Sequence, residues 1–202
     1  MVSLLMAYFS LQMEQSIGLV GKDCVVLAAD TLAQRSILVL KDTHDRIAKL
    51  TDHSVMAYGG EPGDCNQFVD YIQRNVELYS IRNEPLTTNA CAFFIKQQLA
   101  EGLRSRPYQV NCMVAGYNKG GKLYWIDYLG SIQELPYAAQ GYSQYFCMST
   151  FDKYFKKDMS EEECVAVIKK CIHELKTRFT INLKKWQCQV ITKDGIKTVS
   201  LE

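Results

Sequence analysis

Short apolar runs, separated by glycine, aspartate and lysine turns, fill the first third of this chain between residues 15 and 64. Five of these runs predict β-strands, at residues 17–20, 24–29, 36–40, 46–50 and 54–58. Short continuous apolar runs are typical of strands that are buried on both faces. A sheet of that kind needs a layer on each side, so we expect the rest of the chain to cover it.

Apolar residues at helical spacing predict four helices in the remainder of the chain. These helices are expected to begin near Asp64, at Thr87 or Thr88, at Ser143 and at Ser160. Two of the starts carry a capping-box pattern, with Gln67 three residues after Asp64 and Glu163 three residues after Ser160.

Further strands are predicted at residues 110–117, 123–127, 137–139, 186–192 and 196–201. The order is therefore strands, two helices, strands, two helices, strands. Each helix pair is expected to cover one outer face of two packed sheets. The pattern thus predicts an α+β fold, arranged as a four-layer α/β/β/α sandwich.

The composition narrows the possible functions only slightly. Of the 202 residues, 48% are hydrophobic and the net charge is +1, which argues against a nucleic-acid or anionic membrane surface. The eight cysteines form no C-x-x-C pair. We interpret them as free buried thiols in a reducing compartment.

The first thirteen residues contain no charged side chain. They lack the basic region and the cleavage site of a signal peptide, and they are shorter than the roughly 20 residues of a membrane-spanning helix. Two interpretations remain open: residues 1–13 are an N-terminal extension, or they follow an upstream start codon and the functional start is Met13. Residues 14–202 are expected to form a single domain.

Familiar catalytic motifs are absent from the sequence. Its three histidines, His44, His53 and His173, show no metal-ligand spacing. There is no G-x-S-x-G elbow, and the glycine-rich run at residues 59–63 lacks the G-K-[ST] ending of a phosphate loop. From its residues alone, the chain is an α/β sandwich without an obvious catalytic cluster.

Several segments, taken together, resemble 20S proteasome beta subunits. They include VVLAAD at 25–30, YGGEPGDC at 58–65, LRSRPYQVN at 103–111 and AAQGY at 138–142. The resemblance extends over nearly everything from Met13 to Leu201, and it points to the subunit at the fourth position of the beta ring. It implies the fold of the N-terminal-nucleophile hydrolases, which is the four-layer sandwich predicted above.

The resemblance also implies where the catalytic groups would lie. An active family member cleaves itself after a glycine and exposes a threonine, whose α-amine activates its own hydroxyl. Counting back from Asp30, which matches the family's active-site aspartate, places the threonine position at Glu14. Glu14 has no hydroxyl, and it follows Met13 instead of a glycine.

Other positions of the family's site are also changed. The family's lysine matches Arg46, which stays protonated and cannot handle protons as lysine does. A late aspartate and serine of the family match Phe179 and Asn182, whereas the oxyanion-contributing glycine is retained as Gly60. The resemblance therefore implies a chain without a catalytic residue, in which Glu14, Asp30, Arg46, Gly60, Phe179 and Asn182 occupy vestigial site positions.

We assign the retained residues structural roles. Asp30 is expected to cap the turn after its strand, and Gly60 to permit a tight exit from its strand. We also expect Glu14, Asp30 and Arg46 to form a charge cluster at the former active site, because a guanidinium pairs strongly with carboxylates.

The resemblance implies a non-catalytic structural subunit that binds neither metal nor organic cofactor. Its partners would be other beta subunits in a seven-membered ring, alpha-ring subunits and the opposite beta ring. Two alternatives remain: a divergent peptidase that matures before Ser16, and an assembly factor outside the finished particle.

Overall fold

The computed structural model describes residues 14–35, 38–181 and 183–201. Within these ranges it contains twelve strands and four helices. The strands are β1 Ser16–Val20, β2 Cys24–Asp30, β3 Ala33–Arg35, β4 Leu38–Lys41, β5 Ile47–Thr51, β6 Ser54–Gly60, β7 Val110–Tyr117, β8 Gly121–Ile126, β9 Ile132–Glu134, β10 Tyr137–Gln140, β11 Trp186–Thr192 and β12 Gly195–Thr198. The helices are α1 Pro62–Arg82, α2 Thr88–Gly102, α3 Ser143–Tyr154 and α4 Glu161–Arg178.

Two five-stranded antiparallel sheets form the centre of the fold. The first has the strand order β10-β1-β2-β11-β12, and the second has the order β5-β6-β7-β8-β9. Strands β3 and β4 form a separate two-stranded hairpin. The last strands of the chain therefore return to pair with the first ones.

Three apolar layers hold the sheets and helices together. Between the sheets, Leu27 of β2 packs in one cluster with Val55 and Leu123 of the second sheet. Helices α3 and α4 cover the outer face of the first sheet, and α1 and α2 cover that of the second. The predicted four-layer α/β/β/α sandwich is confirmed.

The early strands differ from the prediction in two ways. They do not form one sheet, because β1 and β2 lie in the first sheet while β5 and β6 lie in the second. The predicted strand at 36–40 is observed as β4, but it is exposed along its whole length instead of buried. Residues 36 and 37 of that prediction lie outside the described residues. The short strands β3 and β9 were not predicted from the sequence.

Of the four predicted helix starts, three are confirmed, including that of α3 at Ser143, and one is wrong. Thr87 caps α2, and Ser160 forms a capping box with Glu163 at the start of α4. The capping box at Asp64 is wrong, since α1 begins at Pro62 and its N-cap is Glu61. Proline is favoured in the first helical turn, where its missing N–H leaves no hydrogen bond unmade, and this moves the start towards Glu61.

Two further expectations concern the ends and the surroundings of the chain. The alternatives for residues 1–13 fall outside the described residues. Among the helices that the structure describes, none is both long enough and apolar enough to cross a membrane.

Candidate functional site

Two buried ionisable side chains, Asp30 and Arg46, meet the partly buried Glu14 beside the first strand. Arg46 Nη1 lies 2.9 Å from Glu14 Oε1. Arg46 Nε lies 3.2 Å from Asp30 Oδ1, at an angle that makes this contact an ion pair without a hydrogen bond. The charge cluster that the sequence predicts is confirmed.

The pairing of the strands explains why these side chains converge. Glu14 precedes β1, and Asp30 ends β2. Because the two strands are antiparallel, the start of one lies beside the end of the other. Arg46 directly precedes β5 of the second sheet, where its carbonyl accepts a hydrogen bond from Tyr58 N at 3.2 Å. The cluster thus joins the two sheets at one end of the sandwich.

Asp30 links the polypeptide on both sides of its strand. Its Oδ2 accepts a hydrogen bond from Gln15 N at 2.9 Å, and its Oδ1 accepts one from Leu32 N at 3.2 Å. Arg46 Nη2 donates to the carbonyl of Leu32. The predicted capping role of Asp30 is confirmed, and the same contacts fix the start of β1.

The backbone amide of Gly60 is hydrogen-bonded to the Glu14 side chain. Gly60 N donates to Glu14 Oε2 at 2.7 Å. A Cβ on Gly60 would lie 2.0 Å from Gln109 O, and its φ is +146°, so only glycine fits the exit from β6. Gly60 therefore has the predicted structural role, and its amide is already occupied by a carboxylate of the same chain.

Two carboxylates share one guanidinium in this cluster, so one negative charge is left in excess. Burial raises the pKa of Glu14, while Arg46 and the Gly60 amide oppose the rise. Burial likewise raises the pKa of Asp30, to about 6, against the opposing effect of Arg46. Desolvation outweighs pairing at both carboxyl groups, which is typical of buried charges with too few counter-charges.

Little free space remains next to the cluster. The cavity lined by Glu14, Tyr58 and Gly59 has a volume of about 10 Å³. That is about the space that a single water molecule needs. A Cβ on Gly59 would approach Glu14 Cβ to 2.9 Å, so the Glu14 side chain packs directly on the β6 backbone.

The position that matches the family's second aspartate has different surroundings. The ring of Phe179 packs against Tyr142 and Phe146, with centroid distances of 5.6 and 5.8 Å. An aromatic cluster thus stands where the resemblance would place a carboxylate. Asn182, the other late position, lies outside the described residues.

A buried polar network behind the cluster was missed in the sequence analysis. Gln15 Oε1 accepts a hydrogen bond from Ser143 N at the start of α3. Gln140 Nε2 donates across the sandwich to Cys112 O at 2.7 Å, and Ser16 Oγ donates to Gln140 Oε1 at 3.3 Å. A glutamine within an apolar strand run was the available signal, since a buried amide requires partners.

The described residues contain no group of three histidine, cysteine, aspartate or glutamate side chains arranged to hold a metal ion. With both carboxylates engaged by Arg46, the cluster has the character of an ion network inside the protein. Its chemistry is suited to holding backbone segments together.

Comparisons with known proteins agree with this geometry. The family model described as "Proteasome subunit" matches residues 14–191. The chain is 47% identical to the probable proteasome subunit beta type-4 of Meyerozyma guilliermondii, over 93% of this chain and 100% of the relative. It is 43% identical to proteasome subunit beta type-2-B of Arabidopsis thaliana, over 92% of this chain and 94% of the relative.

A third relative is proteasome subunit beta type-4 of Saccharomyces cerevisiae, which is 42% identical over 93% of this chain and 97% of the relative. The names of these relatives use both type-2 and type-4 for chains that are similarly close to this one. The family match covers the four layers and the charge cluster together. The chain belongs to the proteasome subunit family, among its beta-type subunits.

Proposed function

We propose that this chain is a non-catalytic beta subunit of the 20S proteasome core particle, at the fourth position of the beta ring, which is called beta type-2 in animals. Its work is to complete the ring and to support the subunits beside it. Its partners are other beta subunits of a seven-membered ring, alpha-ring subunits and the opposite beta ring. We place it, with that particle, in the cytoplasm and nucleus.

One observation carries the absence of catalysis: the Glu14 carboxylate fills the place where a nucleophile would stand. Glu14 Oε2 receives the Gly60 amide at 2.7 Å, and Oε1 pairs with Arg46 at 2.9 Å. An oxyanion needs a free donor, and here that donor is saturated by a fixed anion. A substrate carbonyl would have to displace a buried ion pair to reach the amide.

Ser16 is poorly placed to serve as an alternative nucleophile. It lies inside β1, paired with Gln140 of β10 on one side and with Ala29 of β2 on the other. Its side chain is buried and its hydroxyl donates to Gln140. A terminus created at Ser16 would have to form within a strand that is bonded on both edges, and Glu14 would be lost from the cluster.

The hairpin of β3 and β4 supports a role in assembly. Leu38, Val39 and Leu40 are 64%, 62% and 68% exposed. Because successive side chains of a strand point to opposite faces, β4 presents exposed apolar side chains on both of its faces. An isolated protein seldom exposes such a patch, which is typical of a surface that a partner covers.

The test is purification of the complex through a tag on the C-terminal end of this chain, followed by native and intact-chain mass spectrometry. We expect the chain in fixed stoichiometry within a complete core particle. Its N-terminus should precede Glu14. A peptide epoxyketone, which couples to an α-amine and hydroxyl on one terminal residue, should modify other beta subunits but leave this chain unmodified.

Two results would contradict the proposal. A mature terminus at Ser16, together with peptide hydrolysis that is lost in Ser16→Ala, would establish a divergent peptidase. Recovery of the chain only with incomplete particles would establish an assembly factor.

A further inference from the structure

Two cysteines, Cys24 and Cys164, lie against each other at the far end of the first hairpin from Glu14. Cys24 begins β2, and Cys164 lies in the first turns of α4. A Cβ placed on Gly21 would lie 2.8 Å from the sulfur of each. The two sulfur atoms are therefore within twice that distance of each other, and each thiol shifts the pKa of the other.

The pair lies directly beneath the surface. Cys24 is 3% exposed and Cys164 is fully buried, but the turn that covers them contains the exposed residues Lys22 and Asp23. The turn is fixed by a few backbone contacts, among them Lys22 N to Met159 O at 2.9 Å. Because Gly21 has no side chain, local opening of this turn brings a small oxidant to both sulfur atoms.

The contact makes the two thiols chemically unequal. The hydrogen bond from Cys164 lowers the pKa of Cys24, against the effects of burial and of the carboxylates of Glu161 and Asp23. The same contact raises the pKa of Cys164. Lys197 faces this region as well, paired with Glu161 at 2.7 Å. Cys24 is thus the better nucleophile of the pair, and Cys164 is the group positioned to react next.

We propose that Cys24 and Cys164 are a peroxide-oxidisable dithiol, which closes into a disulfide between the first hairpin and the last helix. The Cys24 thiol gives up its proton, and the thiolate attacks one oxygen of hydrogen peroxide. The O–O bond breaks, Cys24 becomes a sulfenic acid, and the departing hydroxide takes up the proton and leaves as water. Cys164 then attacks that sulfur, the S–O bond breaks, and the proton of Cys164 leaves with the hydroxide as water. Two thiols lose two electrons in total, and the peroxide gains them. The inference is independent of the absence of catalysis.

A second thiol pair in the same helical layer provides an internal comparison. Cys147 of α3 and Cys171 of α4 are also in contact, with Cys147 Sγ 3.9 Å from Cys171 O. Both side chains are fully buried between the helices. Contact with Cys171 and burial raise the pKa of Cys147. This deeper pair should react much more slowly, because an oxidant can reach it only by separating two packed helices.

The test uses the full chain, purified through its tag with the subunits that accompany it and treated with limiting hydrogen peroxide. The protein is then denatured in the presence of N-ethylmaleimide, which blocks the remaining free thiols as they become exposed, and the unreduced protein is digested with trypsin. Cys24 lies in the fragment 23–35 and Cys164 in 158–169, whereas Cys147 and Cys171 lie in 123–153 and 171–176. Mass spectrometry therefore distinguishes the two possible links.

We expect fragments 23–35 and 158–169 to become joined, with a combined mass lower by two hydrogen atoms, and to separate on reduction. This link should exceed the Cys147–Cys171 link by at least several-fold. Cys24→Ala should abolish it, and Cys188→Ala, which removes a buried thiol elsewhere, should leave it unchanged.

Equal amounts of the two links would overturn the proposal, since reactivity would not follow the position of the pair. The proposal would also be overturned if the thiols of Cys24 and Cys164 stayed free while the exposed methionine Met148 became oxidised. Both results are measured on the unaltered chain, so they remain valid even where a cysteine variant fails to fold.

Discussion

The two regions where this chain differs from a proteolytic site have changed in opposite ways. Glu14 is a charged residue where the family resemblance places a threonine, and it pairs with Arg46, which also contacts Asp30. At Phe179, an aromatic ring packs on Tyr142 and Phe146 where the family resemblance places a carboxylate. The difference shows that a residue in a buried ion network cannot be lost alone, because its partners would be left as unpaired buried charges. A carboxylate at the edge of an apolar cluster can be replaced by a single substitution.

The largest effect is expected from Arg46→Met. It removes the only cation that pairs with the two carboxylates in the described part of the cluster. Breaking a buried ion network in this way typically costs about 3–5 kcal/mol in the free energy of unfolding. Urea unfolding of the isolated chain measures the loss. Arg74→Met is the matched control, because the Arg74–Asp70 pair is exposed and should contribute less than about 1 kcal/mol. If Arg46→Met and Arg74→Met lowered the unfolding free energy equally, the buried cluster would contribute no more than an exposed ion pair.

Phe179→Asp tests the aromatic region by reintroducing the carboxylate. The substitution removes two ring contacts and places a charge against apolar neighbours, so we expect a loss of about 2–4 kcal/mol. Phe179→Leu keeps the site apolar and should cost only about 1 kcal/mol. The unfolding midpoint in urea compares the two variants. A Phe179→Asp chain as stable as the original would mean that this region still accommodates the ancestral charge.

The charge cluster should make stability depend on pH. The pKa of Asp30 is raised from 3.8 to about 6 in the folded chain, and that of Glu14 is raised as well, both chiefly by burial. Between pH 3.8 and about 6, Asp30 is therefore more protonated in the folded chain than in the unfolded chain. The contribution of Asp30 is therefore complete below about pH 4 and is lost as the pH rises through about 6.

Asp30→Asn isolates this contribution from the titration of other groups. The difference in unfolding free energy between the original chain and Asp30→Asn should change by about 1–3 kcal/mol between pH 4.5 and 7.5. The original chain should lose relative stability as the pH rises. A difference that is constant across this range, or that changes in the opposite direction, would mean that pairing with Arg46 outweighs burial at Asp30.

The smallest effect is expected from Glu14→Gln. The variant keeps an oxygen that can accept from Gly60 N and leaves Arg46 paired one-to-one with Asp30. Removing the excess negative charge offsets the lost ion pair, so the net change should be about 1 kcal/mol or less. Titration of Asp30 by NMR gives a sharper reading: its pKa should fall, because a neighbouring carboxylate has gone. An unchanged pKa would show that the two carboxylates titrate independently.

The sequence predicted the parts of this structure that follow from periodicity and from the family resemblance. Two helix pairs after two strand blocks predicted the four layers. The meeting of Glu14, Asp30 and Arg46 was predicted from the positions that the family resemblance assigns to these residues.

Other features could not be read from the sequence for physical reasons. The apolar run at residues 36–40 resembles a buried strand, but β4 is exposed, because the pattern does not say whether the covering layer belongs to the same chain. The contact between Gly60 N and Glu14 depends on a side-chain rotamer. The roles of Gln15 and Gln140 depend on which carbonyls lie opposite them across the sandwich.

The hydrogen bond from Gly60 to Glu14 also has an evolutionary consequence. Glu14→Thr alone would not restore a nucleophile, since Met13 leaves no glycine at which the chain could cleave itself and free the amine. The same change would strip Arg46 of a partner and leave the Gly60 amide unbonded. Glu14→Thr alone therefore removes contacts of the charge cluster without supplying a free terminal amine.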